Sequence, residues 1–123
     1  MKRILVIDDE EILTRTFTRL LEKAGYEVYS VCHGHDAIAI AQEEDFNLIV
    51  SDIRMPGMNG VEVIKAIRKT GTEKSKTAPL IFVTGYADEP ILSEVQEIKP
   101  IACVHKPFDC IELLKKVTTA IGE

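Results

Sequence analysis

Five short apolar runs, each followed by a stretch whose apolar residues recur at helical spacing, constrain the fold of this chain more than any other feature. Ile4 to Ile7 is apolar throughout, as a strand covered on both faces must be. Leu13, Phe17, Leu20, Leu21 and Ala24 then share one helical face, and Gly25 supplies a stop signal. Glu27 to Val31 reads as a second strand, and His35 to Gln42 as a short helix. Leu48 to Val50 is again wholly apolar and runs into Ser51 and Asp52. Val61, Ile64 and Ile67 stripe a third helix, and Leu80 to Val83 make a fourth strand. A weaker helix spans Pro90 to Ile98, with proline in the tolerated first turn. Ala102 to His105 is the fifth strand. The last helix starts at Asp109, whose spacing to Glu112 suits a capping box, and turns Ile111, Leu114, Val117 and Ile121 inward.

Strands that alternate with helices imply a parallel sheet with helices on both faces, joined by right-handed crossovers. The expected architecture is therefore a three-layer, doubly wound α/β fold of five β–α units, one domain over residues 1–123. That length supports a proper core without disulfides or a structural metal. No repeat, low-complexity tract or Pro/Gly-rich linker divides it. The net charge of −5 argues against nucleic acid as a direct partner, since phosphate backbones demand clustered Lys and Arg. Cys32, Cys103 and Cys110 are an odd set without CxxC spacing, which reads as reduced thiols in the cytoplasm and not a disulfide framework or zinc site. The N-terminus meets carboxylates after four apolar residues and no other apolar run approaches membrane length, so no signal peptide or membrane insertion is expected. The chain closes soon after its last helix, at Gly122 and Glu123. It reads as a single-domain protein, or as a piece cut ahead of a further module.

Ligands of open α/β sheets bind outside the carboxyl ends of the strands. Here those ends are Asp8-Asp9, Asp52, Thr84-Gly85 and Lys106-Pro107. Three carboxylates, a hydroxyl and an ammonium are thus expected on one rim. Carboxylates about 5 Å apart repel by roughly 3 kcal/mol at an effective dielectric near 20. Lys106 can offset only one of those charges, and hard oxygen ligands around an open coordination sphere suit Mg²⁺. A carboxylate is also a possible phosphoryl acceptor, and a metal with a lysine would neutralise the transferring group.

These strand-end residues, with Lys106-Pro107-Phe108 and the run Asp52-Ile53-Arg54-Met55-Pro56-Gly57-Met58-Asn59-Gly60, closely resemble the receiver domain of two-component response regulators. The resemblance covers nearly the whole chain. It implies the flavodoxin-like strand order 2-1-3-4-5, which belongs to the family and is not read from spacing. It implies that Asp52 is the phosphoacceptor and that Asp9, Asp52 and the backbone carbonyl of Arg54 bind Mg²⁺, with Asp8 acting largely through water. Lys106 would pair first with the acceptor carboxylate and then with the phosphoryl group. Thr84 would hydrogen-bond that group, and Gly85 would leave it space. A cis Lys106-Pro107 bond is implied too, as are lifetime-tuning roles for Arg54 and Tyr86. The implied partners are a histidine kinase or histidine phosphotransfer protein and a downstream protein target, the chain being a monomer or a phosphorylation-dependent dimer. Its own chemistry would be limited to self-phosphorylation and self-dephosphorylation.

Two positions depart from the family pattern. Cys103 stands where receivers usually carry Tyr or Phe, three residues before the lysine, which puts the usual Thr–aromatic readout in question. Pro100 stands where many have Gly.

Several residues have plainer readings. Glu10 and Glu11 read as helix N-terminal acids, which the helix dipole favours. His33 and His35 lack a third ligand and read as surface loop residues. Strand alternation turns His105 to the face of Cys103, away from the rim. Cys103 and Cys110 read as small packing residues, and Met55 and Met58 as loop packing. The competing function is a Mg²⁺-dependent aspartyl-phosphate phosphatase or phosphotransferase. The haloacid-dehalogenase type, however, wants an acid two positions after the nucleophile, where Arg54 stands. A flavodoxin-type flavin site would need a Ser/Thr/Gly-rich loop after the first strand, where Asp8 to Glu11 would repel phosphate. A receiver-like scaffold that no longer takes phosphate would not need the acidic pair, Asp52, Thr84 and Lys106 intact.

Overall fold

The apolar runs form strands β1 (Arg3–Ile7), β2 (Glu27–Val31), β3 (Leu48–Asp52), β4 (Leu80–Thr84) and β5 (Ala102–His105). All neighbours pair in parallel, in the order β2-β1-β3-β4-β5. The structure is a computed structural model that describes residues 1–85, 89–106 and 108–122, with backbone alone at residues 13 and 89–92. The helices are α1 (Glu11–Lys23), α2 (Gly34–Glu43), α3 (Gly60–Thr70), α4 (Glu73–Lys76), α5 (Glu89–Ile98) and α6 (Cys110–Ile121).

Strand alternation sorts the core into two halves. Ile4, Val6, Val50, Ile81 and Val83 face α1 and α6, where they meet Phe17, Leu21, Leu113 and Val117. Leu5, Ile7, Ile49 and Phe82 face the other way, against Ala37, Ala41, Val63, Ile64, Ile67 and Val95 of α2, α3 and α5. This is why β1, β3 and β4 are apolar at consecutive positions. Each buried Ile, Leu or Phe contributes about 1.5–3 kcal/mol, so the two halves together hold the strand ends in place. In register, Ile7 lies opposite Ser51, Asp52 opposite Val83, and Thr84 opposite His105. One rim of the sheet therefore collects the residues that close β1, β3, β4 and β5.

Local details follow the sequence with some corrections. Gly25 has φ +99°, the left-handed conformation that stops α1 after Ala24. Ile111 was expected inward but is 59% exposed; Leu113 and Val117 take the buried stripe of α6, with Leu114 and Ile121 partly buried beside them. Asp109 caps α6 by accepting from the Ile111 N–H at 2.8 Å, while Glu112 reaches Lys115, so the reciprocal box expected there is not formed. It forms instead at the start of α3, between Asn59 and Glu62. Cys103 is exposed on β5 and does not pack in the core: β5 is an edge strand whose Ala102 and Val104 face α6, leaving Cys103 and His105 together on the other side. The one-turn helix α4 was not anticipated. Its buried Ser75 hydroxyl donates to Glu44 O at 2.8 Å and accepts from Phe46 N at 3.0 Å, tying the α3–β4 connection to the start of β3. The Leu13 side chain, Tyr86 and the Lys106–Pro107 bond lie outside the described residues. Among the described residues no helix is long and apolar enough to cross a membrane.

Candidate phosphoryl and metal site

The rim holds a cluster of charge around one ammonium. Lys106 Nζ lies 3.0 Å from Asp52 Oδ2, 2.6 Å from Glu10 Oε1 and 3.3 Å from Asp8 Oδ2. Asp8 and Asp52 are buried, at 7% and 5% exposure. Each carboxylate is oriented by a backbone donor: Ile53 N–H to Asp52 Oδ1 at 2.8 Å, and Glu10 N–H to Asp8 Oδ1 at 2.9 Å. Lys106 is held in turn by its own N–H, which donates to Thr84 O at 2.7 Å. Just beyond it, the Phe108 ring packs edge-on against Phe17 of α1, with centroids 6.2 Å apart.

The loop after β3 folds back tightly onto the site. Gly60 N–H donates to Ile53 O at 2.7 Å, and a Cβ on Gly60 would stand 2.0 Å from the Asp52 carbonyl oxygen. Glycine is required there by close backbone approach, not by φ. Met55 and Met58 pack this loop onto the core, as expected. At Gly85, by contrast, an added Cβ would meet only Lys106 Cβ at 4.0 Å. Space is therefore left beside the lysine, and the buried Thr84 lies next to it.

Burial pushes the Asp52 carboxyl up to about 6, reinforced by the charge of Asp8 and opposed by Lys106 and the Ile53 N–H. Burial also raises Asp8, outweighing the Glu10 N–H and Lys106. For Lys106, burial works against the charge, but its hydrogen bonds to Glu10 and Asp52 outweigh it and hold the ammonium well above its ordinary value.

Of the residues anticipated from sequence, Asp8, Asp52 and Lys106 meet directly. Asp9 and Arg54 are exposed and line an open cleft of about 1320 Å³ with Glu10, Cys32, His33, Gly85 and Lys106. Glu10 is the residue that sequence reasoning missed. It stands at the N-cap of α1, yet its side chain makes no capping bond and goes to Lys106 instead. A third acid beside an acidic pair was the available signal, but helix N-termini favour acids anyway. Carboxylate oxygens of Asp8, Glu10 and Asp52 all lie within 4.8 Å of one another. Such a set of hard oxygens, with one lysine among three acids, fits a divalent cation such as Mg²⁺.

Residues 4–118 match the family model described as the response regulator receiver domain. The chain is 32% identical over 117 residues to the response regulator receiver protein CpdR of Brucella abortus, covering 95% of this chain and 94% of that one. It spans about half the length (51–53%) of several transcriptional regulatory proteins that it also matches. Among solved structures, the chemotaxis protein CheY4 of Vibrio cholerae superposes with a TM-score of 0.87 at 31% identity, covering 98% of each chain. The response regulator TrrA of Thermotoga maritima, solved in complex with Mg²⁺ and BeF, superposes with a TM-score of 0.80 at 34% identity, covering 98% of this chain and 99% of that one.

Proposed function

The chain belongs to the response regulator receiver family, and from that membership we propose that Asp52 is its phosphoacceptor, charged by a histidine kinase or histidine phosphotransfer protein in a Mg²⁺-dependent step. Receivers are signalling phosphoacceptor domains, so the competing phosphatase or phosphotransferase reading is not favoured. One observation carries the assignment to Asp52. Its carboxylate is buried at the rim, fixed by the Ile53 N–H and paired with Lys106 at 3.0 Å, in a cluster with more acid than base.

With its carboxyl near 6, Asp52 is mostly ionised at neutral pH and is available as a nucleophile. Its oxygen attacks the donor phosphorus; an O–P bond forms, the bond from phosphorus to the donor nitrogen breaks, and that electron pair leaves with the donor imidazole. Lys106 then neutralises part of the charge on the new group, Thr84 donates to it, and Gly85 leaves it room. Asp9, Asp52 and the Arg54 carbonyl, with Asp8 through water, would hold Mg²⁺. When bound, the ion supplies positive charge against the phosphoryl oxygens. The Mg²⁺–BeF complex of TrrA supports this reading. Residues 1–123 act as one receiver unit in the cytoplasm, and signalling proceeds through protein contacts, as a monomer or a phosphorylation-dependent dimer.

Intact mass after incubation with acetyl phosphate and Mg²⁺ tests the assignment. The wild type gains one phosphoryl group that is acid-stable and base-labile. Asp52→Asn abolishes the gain, and Asp9→Ala abolishes it together with metal binding. An undiminished gain in Asp52→Asn would sink the reading.

A further inference from the structure

The closest partner of Lys106 is Glu10, at 2.6 Å, and not the acceptor Asp52 at 3.0 Å. The base of Glu10 is pinned by its N–H to Asp8 Oδ1 at 2.9 Å, while its side chain leaves the N-cap position to reach the ammonium. The side chains differ sharply in exposure: 58% for Glu10, against 10% for Asp8 and 6% for Asp52. An exposed carboxylate returns to water at small cost, whereas the two buried ones cannot lose their counter-charge cheaply. Lysine has three N–H donors, and here three carboxylates lie around them. A new acceptor on Asp52 must therefore displace one of these partners.

We infer that Glu10 is a positioning residue, a displaceable counter-ion that occupies Lys106 until an anionic group arrives on Asp52; this rests on the reading of Asp52 as phosphoacceptor. Glu10 is the partner that yields, because it alone of the three is exposed. Its charge also opposes the arriving group, so it sets the affinity of the site for a phosphoryl-like anion. It keeps the ammonium close to Asp52 in the resting protein and makes occupation of the site more dependent on the metal.

Beryllofluoride binding to the whole chain at saturating Mg²⁺, measured by calorimetry, tests this in the wild type, Glu10→Gln, Glu10→Ala and Asp52→Asn. Both Glu10 variants are expected to bind beryllofluoride about five- to tenfold more tightly, roughly the weight of one partly screened unit charge. Mg²⁺ titrated alone should bind them no tighter than the wild type, and up to about tenfold more weakly. A merely structural role would weaken both ligands together, so tighter beryllofluoride binding without tighter Mg²⁺ binding is the signature. Unchanged or weaker beryllofluoride binding in both variants overturns the inference. So does complete loss of Mg²⁺ binding, which would make Glu10 a metal ligand. If the wild type binds no beryllofluoride, or Asp52→Asn binds it equally well, the phosphoacceptor reading falls and takes this inference with it.

Discussion

Removing the Asp52 carboxylate should stabilise the metal-free protein at neutral pH. Asp52 is raised from 3.8 to about 6, chiefly by burial, and that shift already includes the favourable pull of Lys106. About two units at 1.36 kcal/mol each would cost close to 3 kcal/mol, but the cleft is open to solvent, and screening reduces this to about 1–2 kcal/mol. Because the folded-state pKa is raised, native packing favours the unionised acid. The stability Asp52 contributes is full below pH about 4 and is lost as pH rises through about 6. Asp52→Asn keeps the shape and an acceptor for the Ile53 N–H, while Lys106 keeps Glu10 and Asp8. In EDTA at pH 7.5, urea denaturation should therefore show the variant about 1–2 kcal/mol more stable. Its melting temperature should rise by roughly 3–8 °C for a domain of this size. At pH 4.5 most of that gain should vanish, and added Mg²⁺ at pH 7.5 should narrow it by stabilising the wild type through mass action. A variant no more stable at pH 7.5 in EDTA, or a gain that persists unchanged to pH 4.5, refutes the reasoning.

Lys106→Ala takes away the ammonium shared by the buried Asp8 and Asp52, so urea denaturation in EDTA should show a loss of about 2 kcal/mol, partly restored by Mg²⁺. Gly60→Ala places a Cβ where the Asp52 carbonyl oxygen stands 2.0 Å away, and should cost about 3 kcal/mol or more and depress phosphorylation by shifting Asp52; wild-type stability would show that the loop yields freely. Cys103→Tyr adds an aromatic to the exposed side of β5 without entering the α6 core, and should enlarge beryllofluoride-dependent amide shifts over residues 103–115 while leaving phosphorylation intact; shifts as large in the wild type would show that this surface switches by other means.

The strands were legible because β1, β3 and β4 are buried on both faces, and such strands must be apolar at every position. The strand-end chemistry was legible for the same reason. A polar residue that closes an apolar strand in a parallel sheet falls on the ligand rim, wherever its helices pack. Asp8, Asp52 and Thr84 are of this kind, whereas Lys106 closes the half-exposed edge strand β5. Helix faces were less certain, since a one-position rotation exchanges neighbours. The inward stripe of α6 runs through Leu113 and Val117 and leaves Ile111 in water, a choice made by packing against Phe17 and the strands rather than by hydropathy.

Sequence alone determined the alternation of strands and helices, the acidic excess and the residues that end each strand, because these depend on local periodicity and on which positions water cannot reach. Tertiary structure decided the rest. A lysine at position 106 and a glutamate at position 10 are 96 residues apart, and only the sheet order and the docking of α1 bring them to 2.6 Å. Edge placement of β5 likewise decided that Cys103 faces outward, since alternation names two faces but not which one a helix covers. Even the raised carboxyl of Asp52 is a tertiary property: it arises from burial beneath neighbouring strands and from the charge of Asp8, neither of which is local to the residue.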